Sequence, residues 1–198
     1  VPNELYKEFM QDIAAEIDRE NRIINDLLTL VKLDKTSGDL DVTSVSVNET
    51  IELILKRLRP IARKQDVEVI FESNRSVVAE IDEVKITLAL TNLVENAIKY
   101  NKEHGFVKVL LDADHQFFTV QVEDSGIGIP ESSYEYIFQR FYREDKSHSR
   151  EIGGTGLGLA ITRNIILMHR GTISVSSVMG EGTTFTVKIP LIYIRQEG

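Results

Sequence analysis

The sequence predicts an α+β fold, a two-layer sandwich of helices on a sheet preceded by a long N-terminal helix. Segments of strand and helix periodicity mix along the chain without the strict alternation of parallel α/β folds. The N-terminal region differs from the rest, because charges separate apolar residues at three-, four- and seven-residue intervals, and neither Gly nor Pro occurs from Asn3 to Ser37. Glycine clusters recur in the second half, between predicted strands and helices and within the closing hairpin.

Composition narrows the class of protein. Of 198 residues, 42% are hydrophobic and 27% charged, as in globular proteins, and the net charge of −8 argues against a general nucleic-acid binder. The absence of cysteine excludes disulfides and thiolate metal sites, and the four histidines lack metal-ligand spacing. Neither a membrane span nor a signal peptide is evident. We expect a soluble, cytoplasmic chain and, because it begins at Val1 rather than Met, a piece of a longer protein.

The first half is predicted from periodicity and capping residues. The long helix cannot bury its apolar stripe alone and therefore needs a partner helix. Asn48 is the predicted N-cap of the next helix, whose inner side carries Thr50, Ile51, Ile54, Leu55 and Leu58. In order, the predicted elements are a helix over 3–34, a linker over 36–41, a strand over 42–47, a helix over 48–64, a hairpin of 67–71 with 76–79, and a helix over 82–101.

The second half contains two predicted hairpins and a glycine-rich helix start. Gly171 is expected at the C′ position of the last helix. A polar stretch over 143–151 is expected to be mobile. In order, the predicted elements are a hairpin of strands 106–111 and 117–123, a short helix near 131–138, a helix over 155–169, and a closing hairpin of strands 172–177 and 183–191.

A polar stripe on the helix over 82–101 is the first candidate site. Asn92, Glu95, Asn96 and Lys99 share one helix face, because they are spaced at i, i+3, i+4 and i+7. The opposite face is predicted to be core, formed by Leu88, Leu93, Val94 and Ala97. Amide and carboxylate oxygens suit a hard cation that accompanies a phosphate. An ordinary solvated helix face explains the stripe equally well.

Three glycine clusters follow this helix. Asp124-Ser125-Gly126-Ile127-Gly128 directly follows a strand, where the acid could accept a hydrogen bond from a purine amino group, although an ordinary turn has the same pattern. Gly153–Leu159 opens a helix and exposes backbone N–H groups to an anion, or acts as a hinge. It matches neither a P-loop nor a dinucleotide fingerprint. Gly180–Phe185 could be a plain hairpin turn.

An aromatic and basic segment lies between the first two clusters. Tyr136–Arg143 combines aromatic residues with two arginines, either as core plus surface charge or as an anchor for a basic lid. Arg140, Arg143, Lys146 and Arg150 make the region locally basic, as a nucleoside triphosphate would require.

The order and spacing of these motifs resemble the ATP-binding domain of bacterial sensor histidine kinases, in the superfamily shared with gyrase and the heat-shock chaperone ATPases. The resemblance covers residues 40–192, and Glu16–Asp34 resembles the second helix of the family's dimerisation and phosphoacceptor hairpin. It implies that residues 1–35 are that helix, 42–194 the catalytic domain and 195–198 a tail. The motifs correspond to an N box over 92–100, a first glycine box over 124–128, an F box over 138–142, a second glycine box over 153–159 and a third over 180–183.

The resemblance implies roles for the residues of the polar stripe. Asn96 would ligate Mg²⁺ with Asn92 beside it, and Glu95 would orient or activate the attacking group or hold a metal-bound water. Lys99 would contact phosphate, and Tyr100 would pack on the nucleotide.

The resemblance also implies which residues contact the base and the phosphates of ATP. Asp124 would bind the adenine amino group, and Thr183 would support Asp124 or a bridging water. The other implied nucleotide contacts are Gly126 and Gly128, which shape the pocket, Gly154, Thr155, Gly156, Leu157 and Gly158, which belong to the lid, and Arg140 and Arg143, which face the γ-phosphate.

The phosphoacceptor is the main departure from the family. No histidine precedes His104, and none of His104, His115, His148 and His169 has the required context. We therefore expect a piece that begins after the phosphoacceptor helix, binds ATP and does not phosphorylate itself. Its expected partners are the hairpin, a response regulator and a second copy that pairs through residues 5–31. The full-length protein is expected to be anchored in the bacterial membrane.

Three alternatives remain. A gyrase- or chaperone-type ATPase would need a further domain that reaches the nucleotide, and a serine kinase of the anti-sigma-factor type would lack the long helix. An ATP-gated interaction module without enzymatic activity is the third.

Overall fold

The computed structural model describes residues 3–35, 39–143 and 154–195. It confirms the predicted α+β fold: helices pack on one face of a five-stranded mixed sheet, and a two-stranded sheet lies beside it. The elements are α1 (Asn3–Lys35), β1 (Thr43–Ser46), α2 (Val47–Lys64), β2 (Glu68–Ser73), β3 (Val78–Ile81), α3 (Glu83–Lys99), β4 (Phe106–Ala113), β5 (Phe117–Asp124), a 3₁₀ turn (Glu131–Ser133), α4 (Gly158–Met168), β6 (Thr172–Val178) and β7 (Gly182–Pro190).

The large sheet has the strand order β2-β4-β5-β7-β6, in which only the β2–β4 pair is parallel. Alternate residues of β4, β5 and β7 are buried against α2, α3 and α4, so strand periodicity and burial agree. The two hairpins predicted in the second half are confirmed. This order places the end of β5 next to the start of β7 in the middle of the sheet.

The hairpin predicted from 67–71 and 76–79 is wrong. β2 pairs in parallel with β4, whereas β3 pairs antiparallel with β1 in the small sheet. Asn48 lies at the junction, where its Oδ1 accepts a hydrogen bond from the Val77 backbone N–H at 2.8 Å. The predicted capping role of Asn48 is therefore also wrong, and Ser46 is the N-cap of α2. The predicted inner face of α2 is confirmed, because all five of its residues are buried.

The ends of α3 and α4 meet through a buried histidine. His169 at the C-cap of α4 is 1% exposed; its Nε2 accepts a hydrogen bond from Asp82 N–H at 3.0 Å, and its Nδ1 lies 2.8 Å from the Ile165 carbonyl oxygen. Burial lowers the pKa of His169, which favours the neutral ring. Asp82 in turn caps α3. The N-terminus of α3 and the C-terminus of α4 are thus fixed to each other.

The C-terminus of α4 corrects another prediction. Arg170, with φ +60°, occupies the left-handed C′ position expected for Gly171. Gly171 follows and donates to the Ile166 carbonyl at 2.9 Å, as in a Schellman motif. A Cβ at Gly171 would overlap the Lys188 carbonyl oxygen, so close packing on β7 explains the glycine.

The long helix α1 matches its predicted length but is buried only near its C-terminus. Leu30 and Leu33 are buried, and Ile23 and Leu27 pack against the core. The apolar residues nearer the N-terminus are exposed, among them Leu5, Phe9, Ile13 and Ile17. Among the described residues, no helix has the length and apolar character needed to cross a membrane.

Candidate functional site

Asp124 is the last residue of β5, which is the central strand of the large sheet. Its Oδ1 accepts hydrogen bonds from the backbone N–H groups of Gly126 at 2.8 Å and Thr183 at 3.3 Å. Burial raises the pKa of the Asp124 carboxyl to about 6, although these two bonds act to lower it. Among the described residues no hydrogen bond reaches Oδ2, so this oxygen can accept a donor from a ligand.

Two glycines bring backbone against the Asp124 loop. A Cβ at Gly126 would overlap the Tyr100 carbonyl oxygen, and a Cβ at Gly182 would overlap the carbonyl oxygen of Asp124. Gly182 also has φ +142°, which side chains rarely adopt. Gly128 lies on the same loop against the backbone of Val178. The first and third glycine clusters therefore lie in direct contact with each other.

Thr183 and Ser177 support this loop from β7 and β6. The Thr183 hydroxyl lies 2.8 Å from the Ser177 hydroxyl, and Thr183 reaches Asp124 through its backbone N–H. Ser177 Oγ also accepts a hydrogen bond from Ile129 N–H at 2.7 Å. The sequence does not single out Ser177, because only the strand pairing places it here.

The polar stripe lies on α3 as the spacing predicts. Asn92, Glu95, Asn96 and Lys99 are all half-buried, so their face is neither core nor freely solvated. The opposite face is buried at Leu93, Val94 and Ala97, as predicted. The prediction is wrong for Leu88, which is 36% exposed and lies outside the core. Ala89 and Leu90 are buried in its place.

The second glycine cluster packs against the start of this stripe. Asn92 Nδ2 donates to the Gly158 carbonyl at 3.2 Å. The helix α4 begins at Gly158 rather than at the predicted Thr155, and the side chain of Leu157 is fully buried. Leu157 therefore belongs to the core, and its backbone N–H is bonded to the Thr155 hydroxyl at 3.2 Å. Gly153 and the predicted mobile stretch from 144 onward lie outside the described residues.

The two arginines differ in direction. Arg143 faces the site, because its Nη2 and the Tyr100 hydroxyl each lie 3.4 Å from the position of a Cβ on Gly154. Arg140 points to α1 instead and donates to Asp34 Oδ2 at 2.7 Å. The backbone next to them is tied to the second glycine cluster by a 2.8 Å hydrogen bond from Phe141 N–H to the Gly156 carbonyl.

A second contact joins α1 to the glycine cluster. The Thr155 hydroxyl donates to Asp26 Oδ2 at 2.6 Å. Asp26 carries no sequence signal that distinguishes it from the other acids of α1. Together with Asp34, it connects the packed end of α1 to the side of the site where the resemblance places the lid.

The assembled site has three chemical parts. A buried carboxylate can accept a hydrogen bond from an amino group of a flat base, and glycines let the base approach the backbone. Half-buried amide and carboxylate oxygens on α3 match the ligands of a hard cation. Arg143 lies beside Gly154, and α4 begins next to Asn92; a cationic side chain and a helix N-terminus are both groups that can balance the charge of an anion.

Comparison with known proteins gives a consistent family assignment. Residues 81–192 match the model of the histidine kinase-, DNA gyrase B- and HSP90-like ATPases. The sensor histidine kinase WalK of Bacillus subtilis (strain 168) is 38% identical over 185 residues, which cover 92% of this chain and 30% of WalK. The chain therefore spans less than a third of the length of this relative.

Solved structures agree with the sequence relatives. The catalytic domain of the histidine kinase ThkA superposes with a TM-score of 0.70 at 31% identity, covering 79% of this chain and 100% of that domain. ThkA in complex with the response regulator TrrA gives a TM-score of 0.76 at 29% identity, covering 96% of this chain and 52% of ThkA. The chain belongs to the histidine kinase-, DNA gyrase B- and HSP90-like ATPase family, and within that family it is similar to the catalytic domains of histidine kinases.

Proposed function

We propose that this chain is the ATP-binding catalytic part of a two-component sensor histidine kinase. It would bind ATP and deliver the γ-phosphoryl group to a histidine on a phosphoacceptor helix. The carrying observation is the buried Asp124 carboxyl, placed by β5 and β7 beside a glycine-lined loop. Family membership implies a nucleotide, and this carboxyl offers an acceptor for the adenine amino group.

Phosphoryl transfer asks the protein mainly to position the γ-phosphate and balance its charge. Asn96, with Asn92 beside it, supplies oxygen ligands for Mg²⁺, which would neutralise phosphate charge when bound. Glu95 lies one turn from Asn92 on the same face and would orient the incoming nucleophile or a metal-bound water. The bond between the γ-phosphorus and the β–γ bridging oxygen would break as a histidine nitrogen bonds to that phosphorus, so that ADP leaves with the bridging oxygen and the imidazole ring releases its N–H proton.

The remaining predicted residues hold the nucleotide. Lys99 and Arg143 would contact phosphate, and Tyr100 would pack on the nucleotide between them. Gly154, Thr155, Gly156 and Gly158 would line the phosphates with backbone groups. Arg140 would contact phosphate only after its hydrogen bond to Asp34 breaks. Its phosphate role therefore requires the Arg140 side chain to move away from α1.

The helix α1 is proposed to be the second helix of the dimerisation and phosphoacceptor hairpin. Its exposed apolar stripe supports this role, since a hairpin partner and a second copy would cover it. The response regulator TrrA bound to the similar protein ThkA supports a response regulator as partner. Anchoring of the full-length protein in the membrane remains a prediction.

The proposal is tested by titrating ATP into the wild type and Asp124→Asn at pH 7.5 in a calorimeter. Asn keeps an oxygen for Gly126 and Thr183 but loses the charge, and hydrogen bonds to charged groups contribute about 1.5–3 kcal/mol. We expect ATP affinity to fall at least tenfold. If folded Asp124→Asn bound ATP with wild-type affinity, Asp124 would not be the residue that recognises adenine.

An ATP-gated interaction module is the second candidate, supported by the two contacts between α1 and the nucleotide side of the domain. The two candidates differ in chemistry. Incubation of the chain with radiolabelled ATP and a separately purified phosphoacceptor hairpin distinguishes them. Acid-labile label on the hairpin histidine supports the kinase, whereas ATP binding without transfer supports the module.

A further inference from the structure

Asn101, the residue after Tyr100, is the centre of a small hydrogen-bond network. Its Nδ2 donates to the carbonyl oxygens of Ala97 at 3.0 Å and Phe106 at 2.8 Å. Its Oδ1 accepts from Lys102 N–H at 2.9 Å and from the Ser125 hydroxyl at 2.9 Å. One side chain thereby joins the end of α3, the start of β4 and the loop after β5.

Ser125 completes the connection on the loop side. Its hydroxyl donates to Asn101 and accepts a hydrogen bond from Phe106 N–H at 2.8 Å. Gly105 makes room for this arrangement, because a Cβ there would overlap Asn101 Oδ1. Ser125 directly follows Asp124 in the chain, so the Ser125 hydroxyl bonds anchor the loop one residue away from the Asp124 carboxyl.

The neighbouring backbone reinforces the same contact. Ile127 N–H donates to the Tyr100 carbonyl at 3.1 Å, and Gly126 lies against that carbonyl. The short segment 124–127 is therefore held to the end of α3 at two points, one through backbone and one through the Asn101 side chain. Of these two contacts, only the hydrogen bond between Asn101 and Ser125 can be removed by a side-chain substitution.

We propose that Asn101 is a positioning residue for adenine recognition, which fixes the distance between the polar stripe of α3 and the Asp124 carboxyl. It touches neither the base nor the phosphates and acts through Ser125. The inference rests on the proposed function, since it assumes that Asp124 reads the adenine amino group. It predicts that base selectivity, and not only stability, depends on Asn101.

The experiment compares Asn101→Ala with Asn48→Ala as a matched control. Asn48 is also half-buried and makes a comparable network, donating to Ser73 and Arg75 and accepting from Val77, but it lies at the start of α2. Two probes are titrated by calorimetry: ATP, and the ATP analogue with hydrogen in place of the 6-amino group. Asp124→Asn marks the selectivity that remains when the carboxylate charge is lost.

We expect the wild type and Asn48→Ala to prefer ATP over the analogue by at least tenfold, and Asn101→Ala by less than threefold. If Asn101→Ala does not fold, Ser125→Ala is used, because it removes only the hydroxyl link; the preference should then fall at least twofold. A folded Asn101→Ala or Ser125→Ala with wild-type preference overturns the inference. A wild type that binds both nucleotides equally defeats the assumed role of Asp124 instead, which separates the two failures.

Discussion

Asp124 combines burial with two backbone hydrogen bonds, and these act on its pKa in opposite directions. Burial prevails and raises the pKa to about 6, from an ordinary value of 3.8. Between these values the folded state holds a proton that the unfolded chain releases. The contribution of Asp124 to stability therefore decreases as the pH rises from about 4 to about 6, and it stays low above that.

This sign gives a test that needs no nucleotide. The free energy of unfolding of the wild type minus that of Asp124→Asn should fall by up to about 3 kcal/mol between pH 4 and pH 7.5, at 1.36 kcal/mol per pKa unit. Urea unfolding across this range measures the difference and cancels the other titrating groups. A difference that is flat or that rises with pH would show that the folded carboxyl is not raised in pKa.

Asn96 can be tested through the divalent cation. Asn96→Ala removes a proposed oxygen ligand from the half-buried face of α3, so Mg²⁺ should no longer tighten ATP binding. Asn96→Asp keeps an oxygen at that position and should retain the tightening. Calorimetric titration of ATP with Mg²⁺ and with EDTA measures the effect. Equal affinities with and without Mg²⁺ in the wild type would refute the magnesium role.

At the scale of elements, the interaction between α1 and the second glycine cluster is the contact most open to experiment. Asp26 accepts a hydrogen bond of 2.6 Å from the Thr155 hydroxyl. The Asp34–Arg140 pair is different, because both of its side chains are about half exposed. Exposed ion pairs contribute about 0–1 kcal/mol, so the Asp26 contact is expected to matter more.

Asp26→Ala should therefore loosen the packed end of α1. We expect amide hydrogen exchange over residues 23–35 to become at least threefold faster, while exchange in β4 and β5 stays unchanged. Asp12→Ala is the matched control, because it makes the same change at an exposed site on the same helix. If both variants exchange alike, the Thr155 contact does not hold the helix.

The elements that the sequence predicts are those whose pattern is local. The alternating strands β4–β7 and the amphipathic helices α1 and α2 follow from periodicity. The pairing of β2 does not, because its partner β4 lies beyond α3 in the chain and no turn signal records it. The C′ residue of α4 could not be predicted from local sequence either. Close packing against β7 requires glycine at position 171, so the left-handed C′ position falls on Arg170.

At the scale of the molecule, the motifs identify the candidate site but not its supports. Asp124 meets Thr183 because β5 pairs with β7, and Asn92 meets Gly158 because α3 packs against α4. Ser177 and Asn101 carry no motif, and only the fold shows that they hold the loop.

The exposed stripe of α1 makes a prediction about assembly. Leu5, Phe9, Ile13 and Ile17 are each at least 40% exposed, a contiguous apolar face that pairing of two copies would bury. Light scattering at high concentration should give a dimer, and Ile17→Asp should shift it to monomer. Glu20→Ala, exposed on the same helix, should remain dimeric. A monomeric wild type with α1 still helical would contradict the proposal.

The partial burial of α1 also has a mechanical consequence. The helix rises about 1.5 Å per residue, so the segment from Asn3 to Ile23 forms a lever arm of about 30 Å beyond its packed end. A rotation of about 10° at the packed end would displace the tip by about 5 Å, roughly one helical turn. Asp26 and Asp34 lie in the packed part of the helix, where their hydrogen bonds add to the apolar contacts that hold the angle of this arm.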